Sequence, residues 1–296
     1  IELDHQKFLG DTLEEIAAVK GGIIKERSEV VVAHQHHPEV DRVMEEIGKA
    51  TESTVYFARV ATRLVDSRLA SIPLTASRQI PPSTHSTAIT TPAIEAKLPL
   101  PGSYQLANCS AAVLAVQILR SSPRIQSLLP QLSRINDTMI QEGIKTTNWP
   151  GRLDWIKLPH RSQRILIDGA HNPSSAILLA EYMESLERDS QPTTLILGLS
   201  FPRPPATILE PLLRNNGAIK RIICVRFQAP ASMEWINATD TKDIAEAARG
   251  LRPSLIVEEC ETVEEALELT REERCVVAGS LYLAADVYRL QRKLAA

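Results

Sequence analysis

From residue 164 to residue 294 the chain alternates, without a break, between short apolar runs and longer amphipathic ones. The runs 164–168, 194–199, 221–227, 254–258 and 275–278 read as strands. The runs 173–188, 206–215, 241–251, 262–272 and 281–294 read as helices. Strand followed by helix, repeated in this way, requires crossover connections and therefore a mostly parallel sheet. The spacing predicts a Rossmann-like α/β unit over residues 155–296. The texture changes at "TTNWPGRLDW", so residues 149–154 are expected to be a linker and residues 1–148 a separate domain.

The first half is α/β as well, with irregular stretches. Thr12, with Glu15 three residues later, signals a capped helix start. "EVVVAH" and "TVYFARV" read as strands, and "PEVDRVMEEIGKA" as a helix with Val40, Val43, Met44 and Ile47 on one face. Residues 70–100, rich in Ser, Thr and Pro, are expected to be a long loop or an irregular strand pair. "YQLANCSAAVLAVQIL" is apolar almost all round, which predicts a buried helix. Two short helices are expected around 124–133 and 134–143.

Composition narrows the classes. The chain has 296 residues, room for two ordinary domains. A net charge of −3 argues against a general nucleic-acid binder. No apolar run approaches a membrane span, and there is no signal peptide. Cys109, Cys224, Cys260 and Cys275 form no CxxC pair, which points to a reducing compartment with cysteines used as small apolar residues. The first residue is Ile1, and "IELDH" reads as a strand end entering a loop, so the chain is expected to start inside a domain.

In open α/β sheets ligands sit at the carboxyl ends of the strands. Asp168-Gly169-Ala170-His171-Asn172 ends the first strand of the second unit, and Gly279-Ser280 ends the last. The helix opening at Pro173 offers free N–H groups to an anion, and Asp168 could orient a ribose or a cation; turn chemistry alone also accounts for Asp-Gly and Asn-Pro. Lys20 continues the stripe Leu13, Ile16, Ala17, so it either snorkels to water or is held for a purpose. Arg152, fixed after Pro150-Gly151, suits bidentate phosphate binding or a simple ion pair. Gln105 and Asn108 share one helix face and need partners. His5, beside Asp4, is a ligand or a hydrogen-bonded residue. His34, His36 and His37 are expected in an exposed loop, since no further ligand is spaced to complete a metal site.

Five segments occur in the order "LDHQKFLGDTLEEIAAVKGGIIK", "LPGSYQLANCSAA", "WPGRLDW", "DGAHNPSSA" and "VVAGSLYLAADV". Together they resemble the folylpolyglutamate synthase/dihydrofolate synthase family of the Mur ligase superfamily. The resemblance implies a truncated P-loop-type central domain (1–148), a linker (149–154) and a Rossmann-like C-terminal ligase domain (155–296). It implies an ATP- and Mg2+-dependent ligase that joins L-glutamate to 7,8-dihydropteroate or to folates through an acyl phosphate. Carried over residue by residue, Asn108, Arg152 and Asp168 would bind nucleotide, His171 would face the reacting phosphate and the amino acid, and Ser280 would lie on the glutamate side. His5 and a carbamylated Lys20 would hold magnesium. A cytoplasmic or mitochondrial monomer with small-molecule substrates, and neither nucleic acid nor membrane as partner, follows.

The chain departs from the family pattern in three places. No GTNGKGS-like phosphate loop is present. "LGLSFPRPPATI" carries Arg203 where relatives carry a Lys-Asp pair, and "KGGI" replaces "KAGI". Two other readings stay open: a Mur-type ligase for a cell-wall or cyanophycin-like substrate, and a non-catalytic remnant that binds nucleotide or serves as an interaction module.

Overall fold

The structure is a computed structural model that describes residues 1–3, 6–64, 68–81, 93–186, 192–214, 216–230, 233 and 235–295. The chain divides into two compact units, Ile1–Asn148 and Trp149–Ala296.

In the first unit, α1 (Gln6–Leu9) and α2 (Leu13–Gly21) precede β1 (Glu29–Val32), α3 (Pro38–Ala50) and β2 (Thr54–Ala58). Thr12 caps α2 in a reciprocal box with Glu15. β1 and β2 run parallel with α3 as the crossover, and β5 (Ala76–Ile80) joins β2 antiparallel. A second sheet is made by β3 (Thr62–Arg63), β4 (Leu69–Pro73) and β6 (Ala93–Lys97). Of the two readings of the 70–100 stretch, a long loop or an irregular strand pair, the described residues bear out the strands, β4, β5 and β6. Their pairing is non-local: β4 finds β6 across residues that carry no strand signal of their own, and Ala70, Ile72, Ile94 and Ala96 supply a buried face.

Helix α4 (Tyr104–Ser121) differs from expectation. It buries one face, Gln105, Ser110, Val113, Leu114 and Ile118, and leaves most of its alanines half-exposed. Small apolar side chains permit burial without demanding it. The short helices that follow are α5 (Pro123–Leu128), a 3-10 turn at Pro130–Arg134, and α6 (Asp137–Lys145).

The second unit is one mixed sheet in the order β11-β10-β9-β12-β8-β7. Its strands are β7 (Asp154–Ile156), β8 (Ile165–Ile167), β9 (Thr193–Leu197), β10 (Ile219–Cys224), β11 (Ile256–Glu259) and β12 (Arg274–Ala278). β7 pairs antiparallel with β8; the remaining pairs are parallel. The helices are α7 (Pro173–Ser185), α8 (Ala206–Arg214), α9 (Thr241–Leu251), α10 (Val263–Leu269) and α11 (Leu281–Ala295). Helices α10 and α11 bury Val263, Ala266, Leu267, Leu283, Ala284 and Val287 against Ile165, Ile167, Ile196 and Val277. The alternate residues Leu166, Leu195, Leu197 and Ile222 are equally buried toward the other face, where α7, α8 and α9 pack in a row. This two-sided burial is why the strands read as continuous apolar runs.

The loops before and between strands are fastened by buried arginines. Arg161, 6% exposed, donates to the backbone carbonyls of Leu267 (2.5 Å), Thr270 (2.7 Å) and Glu273 (3.0 Å). It thereby closes the carbonyl end of α10 with a cation, where the helix dipole favours one. Arg252 does the same for α8, donating to Leu213, Asn216 and Ile219 carbonyls. Arg161→Met should remove a charged donor from three carbonyls and destabilise the second unit by about 3 kcal/mol, read as a lowered urea midpoint at unchanged slope. A loss under about 1 kcal/mol would mean that water replaces the guanidinium.

Candidate functional site

The chain runs outward from β9 through β10 to β11, then returns to insert β12 between β9 and β8. The connections leaving β8 and β9 enter α7 and α8 on one face, while β12 leads into α11 on the other. At the carboxyl ends of these strands the connections part to opposite faces, the topological position at which open α/β sheets take ligands.

One glycine lets two of these strand ends lie close together. Gly279 adopts φ +108°, and a Cβ on it would lie 2.5 Å from the Gly198 carbonyl oxygen and 2.9 Å from Leu199 Cδ2. The backbones ending β9 and β12 therefore approach too closely for any side chain at this position. Ser280, 3% exposed, follows; its Oγ accepts from the Tyr282 N–H at 3.1 Å, capping the start of α11.

At the end of β8, Asp168 is 6% exposed. Its Oδ2 accepts from the Leu153 N–H and its Oδ1 from the Ala170 N–H, each at 2.8 Å. Burial raises its pKa above the ordinary 3.8, and the two backbone N–H bonds and the charge of Arg152 act in the opposite direction. Gly169 N–H donates to the Gly151 carbonyl at 2.8 Å. Residues 151–153 are thus bonded to the end of β8, and the stretch expected to be a linker is built into the second unit. Arg152 follows from that attachment: its Nη1 lies 2.8 Å from where a Cβ of Gly169 would stand. Among the described residues no hydrogen bond or ion pair holds its guanidinium.

The start of α7 explains the remaining letters of "DGAHN". Asn172 Oδ1 accepts from Ser175 N–H at 2.8 Å, and Ser175 Oγ accepts from the Asn172 and His171 N–H groups at 3.0 Å each. His171 Nδ1 lies 2.8 Å from the Gly169 carbonyl. A carbonyl only accepts, so Nδ1 carries a proton, and in the neutral ring Nε2 is the lone-pair nitrogen. Arg203, in the loop after β9, donates to the His171 carbonyl. The Arg203 that departs from the family pattern therefore reaches the same loop, which spacing alone does not reveal. The structure brings Arg152, Asp168, His171 and Arg203 together, with Ser280 on the neighbouring strand end.

In the first unit the outcome is different. Lys20 does not continue the buried face of α2: Ile16 and Ala17 are buried, the face passes to Gly21, and Lys20 stands in solvent. A Cβ on Gly21 would lie 2.3 Å from Ile47 Cδ1, so α2 turns its closest contact there. Asn108 Nδ2 donates to Gln105 Oε1 at 3.1 Å, so the two amides satisfy each other one helical turn apart. His34 and His36 are exposed, as expected, and stack edge to face at 5.4 Å; His37 is half-buried at the start of α3, near Glu2 and Glu39, and makes no side-chain cap bond. His5 lies outside the described residues. The four cysteines are free thiols.

The fold of a Mycobacterium tuberculosis folylpolyglutamate synthase, solved in complex with ADP and AMPPCP, superposes with a TM-score of 0.69 over 98% of this chain and 62% of that one, at 19% identity. A Thermotoga maritima folylpolyglutamate synthase superposes with a TM-score of 0.64 over 95% of this chain and 58% of that one, at 24% identity. The two likenesses show a shared fold. In sequence, residues 152–290 match the family described as dihydrofolate synthetase, C-terminal domain. The Saccharomyces cerevisiae dihydrofolate synthetase is 30% identical over 98% of this chain, which spans 64% of that protein's length. Residues 152–290 thus match the C-terminal domain family of dihydrofolate synthetases, and over 98% of its length the chain is similar to a dihydrofolate synthetase.

Two outcomes check the geometry. Gly279→Ala should cost about 3 kcal/mol or more, because backbone meets the new methyl and φ is left-handed. Gly217→Ala, with open space around it, should change stability by less than about 0.5 kcal/mol in the same denaturation series. For Asp168 the folded pKa is raised, so its contribution to stability is full below the ordinary 3.8 and is lost as pH rises through the raised value. An NMR titration of its carboxyl carbon should give a midpoint above 3.8; a midpoint below would mean that the backbone N–H bonds outweigh burial.

Proposed function

We propose that the protein is an ATP-dependent ligase that joins L-glutamate to 7,8-dihydropteroate, to folates, or to both. In this reading residues 1–148 are the C-terminal part of the ATP-binding central domain, 149–154 its junction, and 155–296 the Rossmann-like C-terminal ligase domain. The observation that carries the reading is Arg152, whose guanidinium lies against Gly169 at the end of β8 and close in sequence to the start of α7. A planar cation near a helix N-terminus suits phosphoryl oxygens. Support comes also from the yeast relative named dihydrofolate synthetase, and from the mycobacterial neighbour solved with ADP and AMPPCP.

The chemistry activates a carboxylate as an acyl phosphate, which the glutamate amine attacks as phosphate leaves. It depends on charge neutralisation more than on covalent catalysis. Arg152 would neutralise phosphoryl oxygens. Asp168, both of whose oxygens already accept backbone N–H groups, would hold the Arg152 turn and offer its remaining lone pairs to the nucleotide. His171 would present Nε2 toward the reacting phosphate and the amino acid. Ser280 would contribute at the start of α11 on the glutamate side, and Asn108 would face the adenine. His5 and a carbamylated Lys20 would hold Mg2+, which supplies further neutralisation of phosphate charge. The described residues gather no group of three His, Cys, Asp or Glu side chains for a metal, so that part of the proposal rests on His5 and Lys20 alone. The free cysteines fit a cytoplasmic or mitochondrial monomer, and no helix among the described residues is long and apolar enough to cross a membrane.

Arg152→Ala in the full-length protein should lower kcat/KM for ATP by about 30- to 1000-fold, the loss of about 2–4 kcal/mol of transition-state stabilisation. Kinetics within twofold of the unaltered protein would reduce Arg152 to a structural residue and remove the main support for this reading.

A further inference from the structure

We propose that Tyr288 of α11 is a positioning residue for Arg152: its hydroxyl ties both ends of the turn that carries the guanidinium. The proposal rests on the phosphate-binding reading of Arg152 given above.

The Tyr288 hydroxyl accepts from the Gly151 N–H at 2.6 Å and donates to Asp154 Oδ2 at 2.5 Å. One oxygen thus closes a four-residue turn around Arg152. The turn needs closing. Gly151 has φ +74° and Leu153 has φ +49°, so both neighbours of Arg152 sit in the left-handed region. For a leucine that region is sparsely populated, and such backbone persists only where its surroundings over-determine it. Three interactions do so here. The Asp168 carboxylate takes the Leu153 N–H, the Gly169 N–H holds the Gly151 carbonyl, and Tyr288 holds Gly151 and Asp154. The first two come from β8. The third is the contribution of α11, which also brings Leu281 and Ala284 to 3.3 and 3.5 Å from the Cβ position of Gly151.

The arrangement makes sense only if the turn has something to aim. Arg152 is half-exposed, and its side chain has no hydrogen bond or ion pair among the described residues. Its place over Gly169 therefore derives from its backbone, helped by the charge of Asp168 nearby. Burial, followed by the bond to Asp154, pushes the Tyr288 hydroxyl above its ordinary pKa, so it stays a neutral hydroxyl that can donate and accept at once. A turn held in advance spares the ordering cost of fixing a long arginine when phosphate arrives, and small displacements of such a group are costly.

Tyr288→Phe keeps the ring and removes the hydroxyl. In the full-length protein it should raise KM for ATP about tenfold and leave kcat within about threefold, because the guanidinium is present and only its starting position is lost. The same substitution made in an Arg152→Ala background should have no further effect on KM, since the group it positions is gone. Asp154→Ala, which releases the other end of the turn, should raise KM in the same direction and be equally silent in that background; it serves where Tyr288→Phe folds poorly. A KM within twofold for both variants, beside an impaired Arg152→Ala, would overturn the positioning role and leave the phosphate reading intact. Additive effects in the double variant would overturn it as well, by showing that Tyr288 acts on stability or on another group. A silent Arg152→Ala would sink the phosphate reading itself, and this proposal with it.

Discussion

A buried carboxylate accepting two backbone N–H groups is the interaction on which the second unit's site depends. Asp168 is almost out of solvent, and burial alone works against its charge. The N–H groups of Leu153 and Ala170, with the nearby guanidinium of Arg152, make an anion tolerable there. In return, the carboxylate joins two pieces of chain that sequence separates, the end of β8 and the turn at 151–153. Arg152 owes its location to this junction, so an acid placed for charge also acts as a backbone fastener.

Around that point the strand ends are shaped by close approach. Gly279 lets the ends of β9 and β12 lie almost in contact, Gly198 does the same against the Val225 carbonyl after β10, and Arg203 joins the loop after β9 to the one carrying His171. Residues elsewhere serve the frame. Arg161 and Arg252 turn guanidinium groups inward at the carbonyl ends of α10 and α8. Six carbonyls thus accept from two side chains that composition counts merely as surface charge.

Much of this was legible in the sequence, for a physical reason. Strands covered on both faces are apolar along their buried length, so 165–167, 195–197 and 275–278 announce themselves. Local capping chemistry is equally plain in Thr12–Glu15, because both partners lie within four residues; the equally local box of Asn172 with Ser175 emerges from the structure. Order of motifs was enough to bring Arg152, Asp168, His171 and Ser280 forward as site residues. Lys20 read as part of an apolar stripe because its spacing from Leu13 fits a helical period. The stripe gives way at Gly21 because α3 presses there, and spacing carries no record of what presses where.

The sequence by itself determined the two α/β halves, the strand–helix alternation of the second, and the residues that end its first and last strands, since these depend on periodicity and on neighbours in the chain. Only the tertiary structure decided which of those residues meet. β4 finds β6, β12 slips between β8 and β9, and Tyr288 closes a turn 137 residues away at Gly151. Each is a long-range contact made by groups whose local sequence would serve as well elsewhere. A tyrosine on a helix or an arginine after a proline acquires its task only when the sheet order brings its partner within a hydrogen bond's reach.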